Sequence, residues 1–131
     1  RNVGQGLAPA ESILINCKKQ GLNLLTGPGN DIVSTTNLTA AGANIILFTT
    51  GRGTPLGASV PTIKVSSNSR LAKRKSNWID FNAGELIEIN DFENMTEEIF
   101  KLLMNIASGR QTKNEQNGYR EISIFKEGVI M

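Results

Sequence analysis

Short apolar runs alternate with stretches of helical periodicity along this chain. The clearest run, Ile45-Ile46-Leu47-Phe48, is continuous and rich in β-branched residues, which is typical of a parallel strand covered on both faces. Comparable runs predict strands at residues 22–25, 62–65 and 78–81, and residues 122–125 predict an edge strand. We expect the run at residues 45–48 to form the central strand of the sheet.

Helices are predicted between these strands. Pro9 suits the first turn of a helix over residues 9–20, and Asp31 is expected to cap a second helix that runs to Ala41. Asn68 can cap a short helix that runs to about Lys73. Asp91 or Asn90 can cap the longest helix, over residues 92–107. An apolar stripe marks its core face: Ile99, Phe100, Leu103 and Ile106.

The alternation of strands and helices predicts an α/β fold with three layers. We expect a Rossmann-like arrangement, with a mainly parallel sheet and helices on both faces. The length of 131 residues fits one domain. No internal repeat or linker divides the chain, and it begins with Arg1 rather than Met, so we interpret residues 1–131 as a single domain of a longer protein.

Charge and composition exclude several classes of function for this chain. The 14 basic and 12 acidic residues nearly balance, which argues against a nucleic-acid partner, and we interpret the basic run at residues 70–75 as a solvated helix end. No apolar stretch approaches the ~20 residues that span a bilayer. Cys17 is the only cysteine, which fits a cytoplasmic protein and a buried structural thiol. Because the chain has no histidine, it cannot build a Ser-His-Asp triad or a His-based metal site alone.

Three loops follow predicted strands, at residues 27–31, 49–57 and 80–84, and ligands of α/β sheets bind at that edge. In the middle loop, glycines let backbone N–H groups approach an anion, and Arg52 can grip a carboxylate with two hydrogen bonds. A tight structural turn with Arg52 in a salt bridge stays open. We expect these substrate-binding residues: Thr49, Thr50, Gly51, Arg52, Gly53, Thr54, Asn30, Asp80 and Asn82. Asp31 and Asp80 could also serve a metal or a proton transfer, although a helix cap and a turn residue are their commoner roles.

Residues 48–57 read Phe-Thr-Thr-Gly-Arg-Gly-Thr-Pro-Leu-Gly, which resembles the FTTGRGxPxG signature of galactarate and altronate dehydratases. The resemblance continues through residues 60–65, 79–84 and 107–109. It implies the C-terminal domain of a cytoplasmic hydro-lyase that converts a sugar acid to a 2-keto-3-deoxy acid. Sulfolactate sulfo-lyases are relatives, so the signature leaves the leaving group open.

The resemblance also implies partners and a cofactor. The complete enzyme is expected to hold a divalent metal, usually iron, which this piece does not bind alone, and to contain further domains; a homodimer stays open. Residues 27–31 look galactarate-type, whereas residues 120–129 resemble the tail of altronate-type members. Many members carry a cysteine where Ala83 stands, so no role of that cysteine transfers. Galactarate is the first expectation, and an altronate or sulfolactate enzyme, or a non-catalytic scaffold, is the alternative. No residue stands out as a general base.

Overall fold

A computed structural model describes Gly21, Leu25, Gly27 and residues 29–124 of the chain. The elements in chain order are α1 (Asp31–Ala40), β1 (Ile46–Thr50), β2 (Thr62–Ser66), α2 (Ser69–Arg74), β3 (Phe81–Asn82), α3 (Glu85–Ile89), α4 (Phe92–Ala107) and α5 (Lys113–Gln116). None of the helices described is long and apolar enough to cross a membrane. The predicted helix at residues 9–20 lies outside the described residues. So does the predicted strand at 22–25, except for Leu25, which is in neither helix nor strand.

The strands form a parallel sheet in the order β1-β2-β3, which confirms the α/β fold class. The prediction that residues 45–48 form the central strand is wrong for the described sheet, where β1 is an edge strand and β2 lies in the centre. Leu47 is 47% exposed, so β1 is not covered on both faces. All residues of β2 are buried, because β1 and β3 flank it and both of its faces are covered.

The core lies on one face of β2. Ile63 and Val65 pack with Ile106 of α4, and partly buried apolar residues of the same helix surround them. The side chains of Thr62, Lys64 and Ser66 alternate with these residues and therefore point to the opposite face. One buried strand thus divides an apolar face from a polar face.

Helix α1 begins as a capped helix, but its cap is Asn30 rather than the predicted Asp31. The Asn30 side chain accepts hydrogen bonds from the backbone amides of Ile32 (3.1 Å) and Val33 (3.4 Å). The backbone of Asn30 is extended, which lets its oxygen reach the first turn, whereas Asp31 already lies inside the helix. The buried side of α1 includes the polar residues Thr35 and Asn37, so the sequence periodicity gave a weak signal here.

The two other predicted helices within residues 29–124 have the expected caps. The Asn68 side chain accepts a hydrogen bond from Leu71 N (2.8 Å) at the start of α2, and Asp91 accepts one from Asn94 N (3.1 Å) at the start of α4. In the predicted stripe of α4, Phe100 is an exception because it is 59% exposed. The other stripe residues pack against the sheet or are buried.

Two predicted strands differ from the structure. The strand expected at residues 78–81 is reduced to Phe81–Asn82, and residues 122–124 form no strand. Instead, the segment 119–124 crosses the loop after β1: Glu121 N donates to Gly57 O (2.7 Å), and Gly57 N donates to the Glu121 carboxylate (2.8 Å). A Cβ atom at Gly57 would collide with the Tyr119 carbonyl oxygen, so this close crossing requires glycine.

Candidate functional site

The loop after β1 is fixed by two side chains at the carboxyl edge of the sheet. The Thr50 hydroxyl accepts a hydrogen bond from Gly53 N (2.9 Å), and the Asn68 side-chain amide donates to Gly51 O (3.1 Å). Gly53 has a φ of 82°, and a Cβ atom there would lie 2.9 Å from a methyl carbon of Leu71. The loop therefore needs a glycine at position 53, both for its backbone conformation and for its contact with α2.

A cleft of about 420 Å³ opens between this loop and helix α2. Residues 51–53 form one wall, and the cationic side chains of Arg70, Arg74 and Lys75 contribute to the other, beside Trp78. The Lys75 Nζ atom lies 4.2 Å from the centre of the Trp78 ring. Clefts lined by charges of one sign concentrate ligands of the opposite sign. This cleft is therefore suited to an anion.

Arg52 is exposed and is one of the residues that line this cleft. Within residues 29–124, no ion pair or hydrogen bond is recorded for its side chain, and the one salt bridge found there joins Lys101 and Glu97. A structural salt bridge of Arg52 would need an acidic partner, and the described part of the chain provides none. A guanidinium in this position can bind a carboxylate with two parallel hydrogen bonds.

A second unusual group lies beside the first strand. Lys64 in the middle of β2 is 0% exposed, and its ammonium has no hydrogen-bond partner among the described residues. Its Nζ atom lies 3.7 Å from the centre of the Phe48 ring, the residue opposite it in the sheet register. Buried lysines are rare unless their charge is paired, so a functional explanation has to be considered.

Two electrostatic effects act on the pKa of Lys64 in opposite directions. Burial lowers the pKa of the Lys64 ammonium to about 8, and the negative charges of Asp31, Glu121 and Asp80 raise it in part. The loss of hydration outweighs the attraction of the three carboxylates, so a fraction of Lys64 carries a neutral amine near physiological pH. Amines with a lowered pKa are typical of lysines that take part in proton transfer or nucleophilic chemistry.

The Asp80 carboxylate accepts hydrogen bonds from the backbone of two elements. One carboxylate oxygen accepts a hydrogen bond from Lys64 N (2.8 Å) and the other accepts one from Lys113 N (2.8 Å). Burial raises the pKa of Asp80, although these two backbone donors and the nearby Lys113 and Arg110 charges lower it in part. The carboxylate therefore joins β2 to α5, and both of its oxygens already have a donor.

The other predicted site residues occupy different places. Gly51, Arg52 and Gly53 line the cleft, and Thr50 anchors their loop. Thr49 is exposed and Thr54 is half-buried, and neither is among the described residues that line the cleft. Asn82 donates to the Ser69 hydroxyl (3.2 Å) and to Glu85 (2.9 Å), and Asn30 caps α1. Their contact with a substrate stays a prediction.

Two features of the site were missed by sequence reasoning. The basic run at residues 70–75 is an exposed helix end, as interpreted, but the sequence did not indicate that Arg70, Arg74 and Lys75 also line the cleft. Lys64 was included in a strand without a role. The available signal was a lysine between Ile63 and Val65 in a strand with no other charged residue, since such a position in a central strand buries the charge.

A metal site cannot be assembled from the described residues alone. They contain no group of three His, Cys, Asp or Glu side chains that could hold a metal ion. The described residues therefore do not supply a complete ligand set for the divalent metal that the family resemblance implies, and at least part of that set would come from elsewhere in the protein.

Comparison with known proteins places the chain in a family. The family described as D-galactarate/Altronate dehydratase, C-terminal, matches residues 5–130. This match covers nearly the whole chain and includes the loop and cleft described above. The chain therefore belongs to the family of C-terminal domains of galactarate and altronate dehydratases, as its signature at residues 48–57 indicated.

Individual relatives agree with this assignment. The chain is 50% identical over 114 residues to the altronate dehydratase of Escherichia coli (87% of the chain, 23% of the relative). It is 44% identical over 130 residues to the altronate dehydratase of Bacillus subtilis (96% of the chain, 26% of the relative). It is 34% identical over 116 residues to the galactarate dehydratase (L-threo-forming) of Escherichia coli (86% of the chain, 22% of the relative). The chain thus spans about a quarter of the length of these curated relatives.

Proposed function

We propose that the complete protein is a cytoplasmic hydro-lyase that removes water from a sugar acid to give a 2-keto-3-deoxy acid. In this proposal, the domain supplies the cleft that holds the substrate carboxylate. The basic cleft beside residues 51–53 carries the proposal, because its wall is the loop of the family signature and its charge is complementary to a sugar acid. Arg52 in particular has no other partner within residues 29–124.

The reaction has three chemical requirements. A base removes the proton next to the carboxylate, positive groups stabilise the resulting enediolate, and the leaving hydroxyl receives a proton. Arg52 and the backbone amides of its loop meet the second requirement. A divalent metal, expected to be iron, belongs to the proposal for the complete protein only, with its ligands outside the described residues.

The relatives favour altronate as the substrate over galactarate. The identities with the two altronate dehydratases are 50% and 44%, against 34% with the galactarate dehydratase. The loop at residues 27–31 suggested the opposite order, but identity over most of the chain is the broader measure. A sulfo-lyase reaction is the weaker alternative, because the sulfolactate sulfo-lyase subunit beta of Chromohalobacter salexigens is 30% identical over 90 residues.

A second candidate function is a scaffold that binds the rest of the enzyme. Apolar side chains are exposed along α3 and α4: Ile87 is 85% exposed, Phe92 is 68% exposed and Phe100 is 59% exposed. Exposed apolar groups of this size are typical of surfaces that contact other domains or subunits. The remaining domains of the same enzyme, or a second copy in a homodimer, would cover this surface. This role is compatible with the cleft and does not replace it.

The test is an assay of the purified complete protein with ferrous iron. Altronate and galactarate are supplied separately, and the 2-keto-3-deoxy product is measured. We expect turnover of altronate above that of galactarate, and no turnover of either acid would contradict the proposal. The isolated 131-residue chain serves as the control and is expected to form no product. Turnover by that chain would contradict the view that the other domains complete the site.

A further inference from the structure

The described residues offer few candidates for the base of the proposed reaction. The chain contains no histidine. Both oxygens of Asp80 accept backbone hydrogen bonds, and Glu121 accepts one from Gly57 N. Lys64 differs from these groups, since its nitrogen is completely buried and no described residue accepts a hydrogen bond from it.

The position of Lys64 relates it to the cleft loop. In the sheet register, Phe48 lies opposite Lys64 and Thr50 lies opposite Ser66. These four side chains share one face of the sheet because residues two apart on a strand point the same way. Thr50 anchors Gly53 of the cleft loop, and Lys64 precedes Ser66, the last residue of β2, by two positions, or about 7 Å along the strand. Lys64 therefore shares a face of the sheet with Thr50, the residue that anchors the loop carrying Arg52, although Lys64 itself is not among the described residues that line the cleft.

The surroundings of Lys64 do not resemble a purely structural site. A structural lysine is normally exposed at its charged end or paired with a carboxylate. Here the ammonium faces the Phe48 ring at 3.7 Å and is flanked along the strand by the buried residues Thr62 and Ser66. The carboxylates of Asp31, Glu121 and Asp80 act on it electrostatically, but no ion pair is formed with any of them within the described residues.

From this geometry we propose that Lys64 is the base that removes the proton from the carbon next to the substrate carboxylate. The proposal rests on the proposed dehydratase function and names the group that the function still lacks. The lone pair of the neutral amine takes the proton, and the C–H electron pair becomes the C=C bond of an enediolate. The enediolate expels the neighbouring hydroxyl, which gains a proton and leaves as water. The remaining enol loses its hydroxyl proton and gains one on carbon, which gives the 2-keto-3-deoxy acid without net oxidation.

The amine needs access to the substrate. Because Lys64 is 0% exposed, its covering groups must move before a substrate carbon can reach it. The segment 119–124 is the candidate for this movement, because its Glu121 acts electrostatically on the Lys64 charge and is bonded to Gly57. Ser123 N also donates to the Thr36 hydroxyl of α1 (3.0 Å). Segments that are held by a few hydrogen bonds can open on substrate binding in the way that enzyme lids do.

The proposal predicts how kcat/KM depends on pH, because Lys64 and the carboxylates around it set the protonation of the base. A base acts in its neutral form, and burial lowers the pKa of Lys64 to about 8 against the pull of Asp31, Glu121 and Asp80. We therefore expect kcat/KM of the complete wild-type protein to increase with pH and to level off above about 8. A profile that is flat between pH 6 and 10 would contradict the assignment.

The decisive variant is Lys64→Met, which keeps an unbranched side chain of nearly the same length and removes the amine. In the complete protein we expect kcat/KM to decrease by roughly a hundredfold or more, as is usual when a general base is lost. Exchange of the substrate C–H proton with deuterated water should decrease by a similar factor, with the melting temperature unchanged or raised. Lys101→Met removes an exposed, salt-bridged lysine of α4 as the matched control, and should keep wild-type activity.

The outcomes separate the inference from the proposed function. A wild-type protein that dehydrates a sugar acid, with a Lys64→Met variant of similar activity, would overturn the inference alone. A wild-type protein that acts on no sugar acid would overturn the proposed function, and the inference with it. If Lys64→Met does not fold, Lys64→Arg is used, because arginine keeps the charge and cannot lose its proton. Near-normal proton exchange by that variant would also overturn the inference.

Discussion

The two faces of strand β2 are equally buried but carry different kinds of side chain, apolar on one face and polar or charged on the other. On one face, Ile63 is 0% exposed and packs with Val65 and Ile106 in the core. On the other face, Lys64 is also 0% exposed, but its ammonium has no hydrogen-bond partner in the described part of the chain. Neighbouring residues thus differ in the sign of their contribution to stability. Burial of Ile63 stabilises the fold, whereas burial of an ammonium without a hydrogen-bond partner costs free energy.

This contrast shows that the burial of a side chain does not by itself reveal whether the side chain stabilises the fold. Proteins retain a destabilising buried charge where it serves function, and such sites trade stability for activity. The polar face also carries Thr50 and Ser66 and lies next to the loop of the family signature. The apolar face carries the packing that holds the strand in place. Each of the following substitutions affects one of the two faces or the cleft edge.

The largest loss of stability is expected for Ile63→Ala on the apolar face. Truncation of a fully buried isoleucine removes packing and leaves a cavity, which costs about 2–5 kcal/mol. The melting temperature of the complete protein should decrease clearly, while kcat/KM of the protein that stays folded should be close to wild type. An unchanged melting temperature would mean that this face does not hold the core together.

Arg52→Lys changes the cleft edge and should affect kinetics. Lysine keeps the charge but loses the planar, two-pronged geometry that matches a carboxylate. Loss of a charge-assisted contact costs on the order of 1.5–3 kcal/mol, so kcat/KM should decrease by roughly ten- to a hundredfold. The melting temperature should hold, because no described residue pairs with Arg52. A lower melting temperature with normal kinetics would instead make Arg52 a structural residue.

Asp80→Asn tests a residue whose bonds are with the backbone. Asparagine keeps one acceptor oxygen and presents an NH₂ group to the second backbone amide, at Lys64 or Lys113. Such a mismatch costs about 1–3 kcal/mol of stability. We expect a lower melting temperature with kinetics close to wild type in the folded protein. A loss of kcat/KM at an unchanged melting temperature would show that Asp80 contacts the substrate.

Much of the fold could be predicted from local patterns. The caps at Asn68 and Asp91 follow from residue type and position, and the β-branched runs at residues 45–48 and 62–65 indicated the strands observed at Ile46–Thr50 and Thr62–Ser66. The order of strands could not be predicted in this way. A continuous apolar run looks the same in an edge strand and a central strand, so Leu47 gave no sign of its exposure.

The site was predictable only in part, for a related reason. The glycines and Arg52 form a local signature, which sequence reasoning can detect. The cleft, however, combines that loop with Arg70 and Arg74 of a helix that is distant in sequence, and only the fold brings them together. Lys64 was missed because its burial depends on the position of β2 between β1 and β3, which the local sequence does not reveal.

The most direct test of the contrast between the two faces is the melting temperature of wild type and Lys64→Met as a function of pH. The pKa of Lys64 is about 8 in the folded protein and 10.5 in the unfolded chain. Between these values the unfolded chain binds more protons, so the contribution of Lys64 to stability increases with pH. We expect Lys64→Met to be the more stable protein at pH 7, by an amount that shrinks as the pH is raised towards 10.5. A Lys64→Met variant that melts below wild type at pH 7 would contradict the account, because Lys64 would then stabilise the fold.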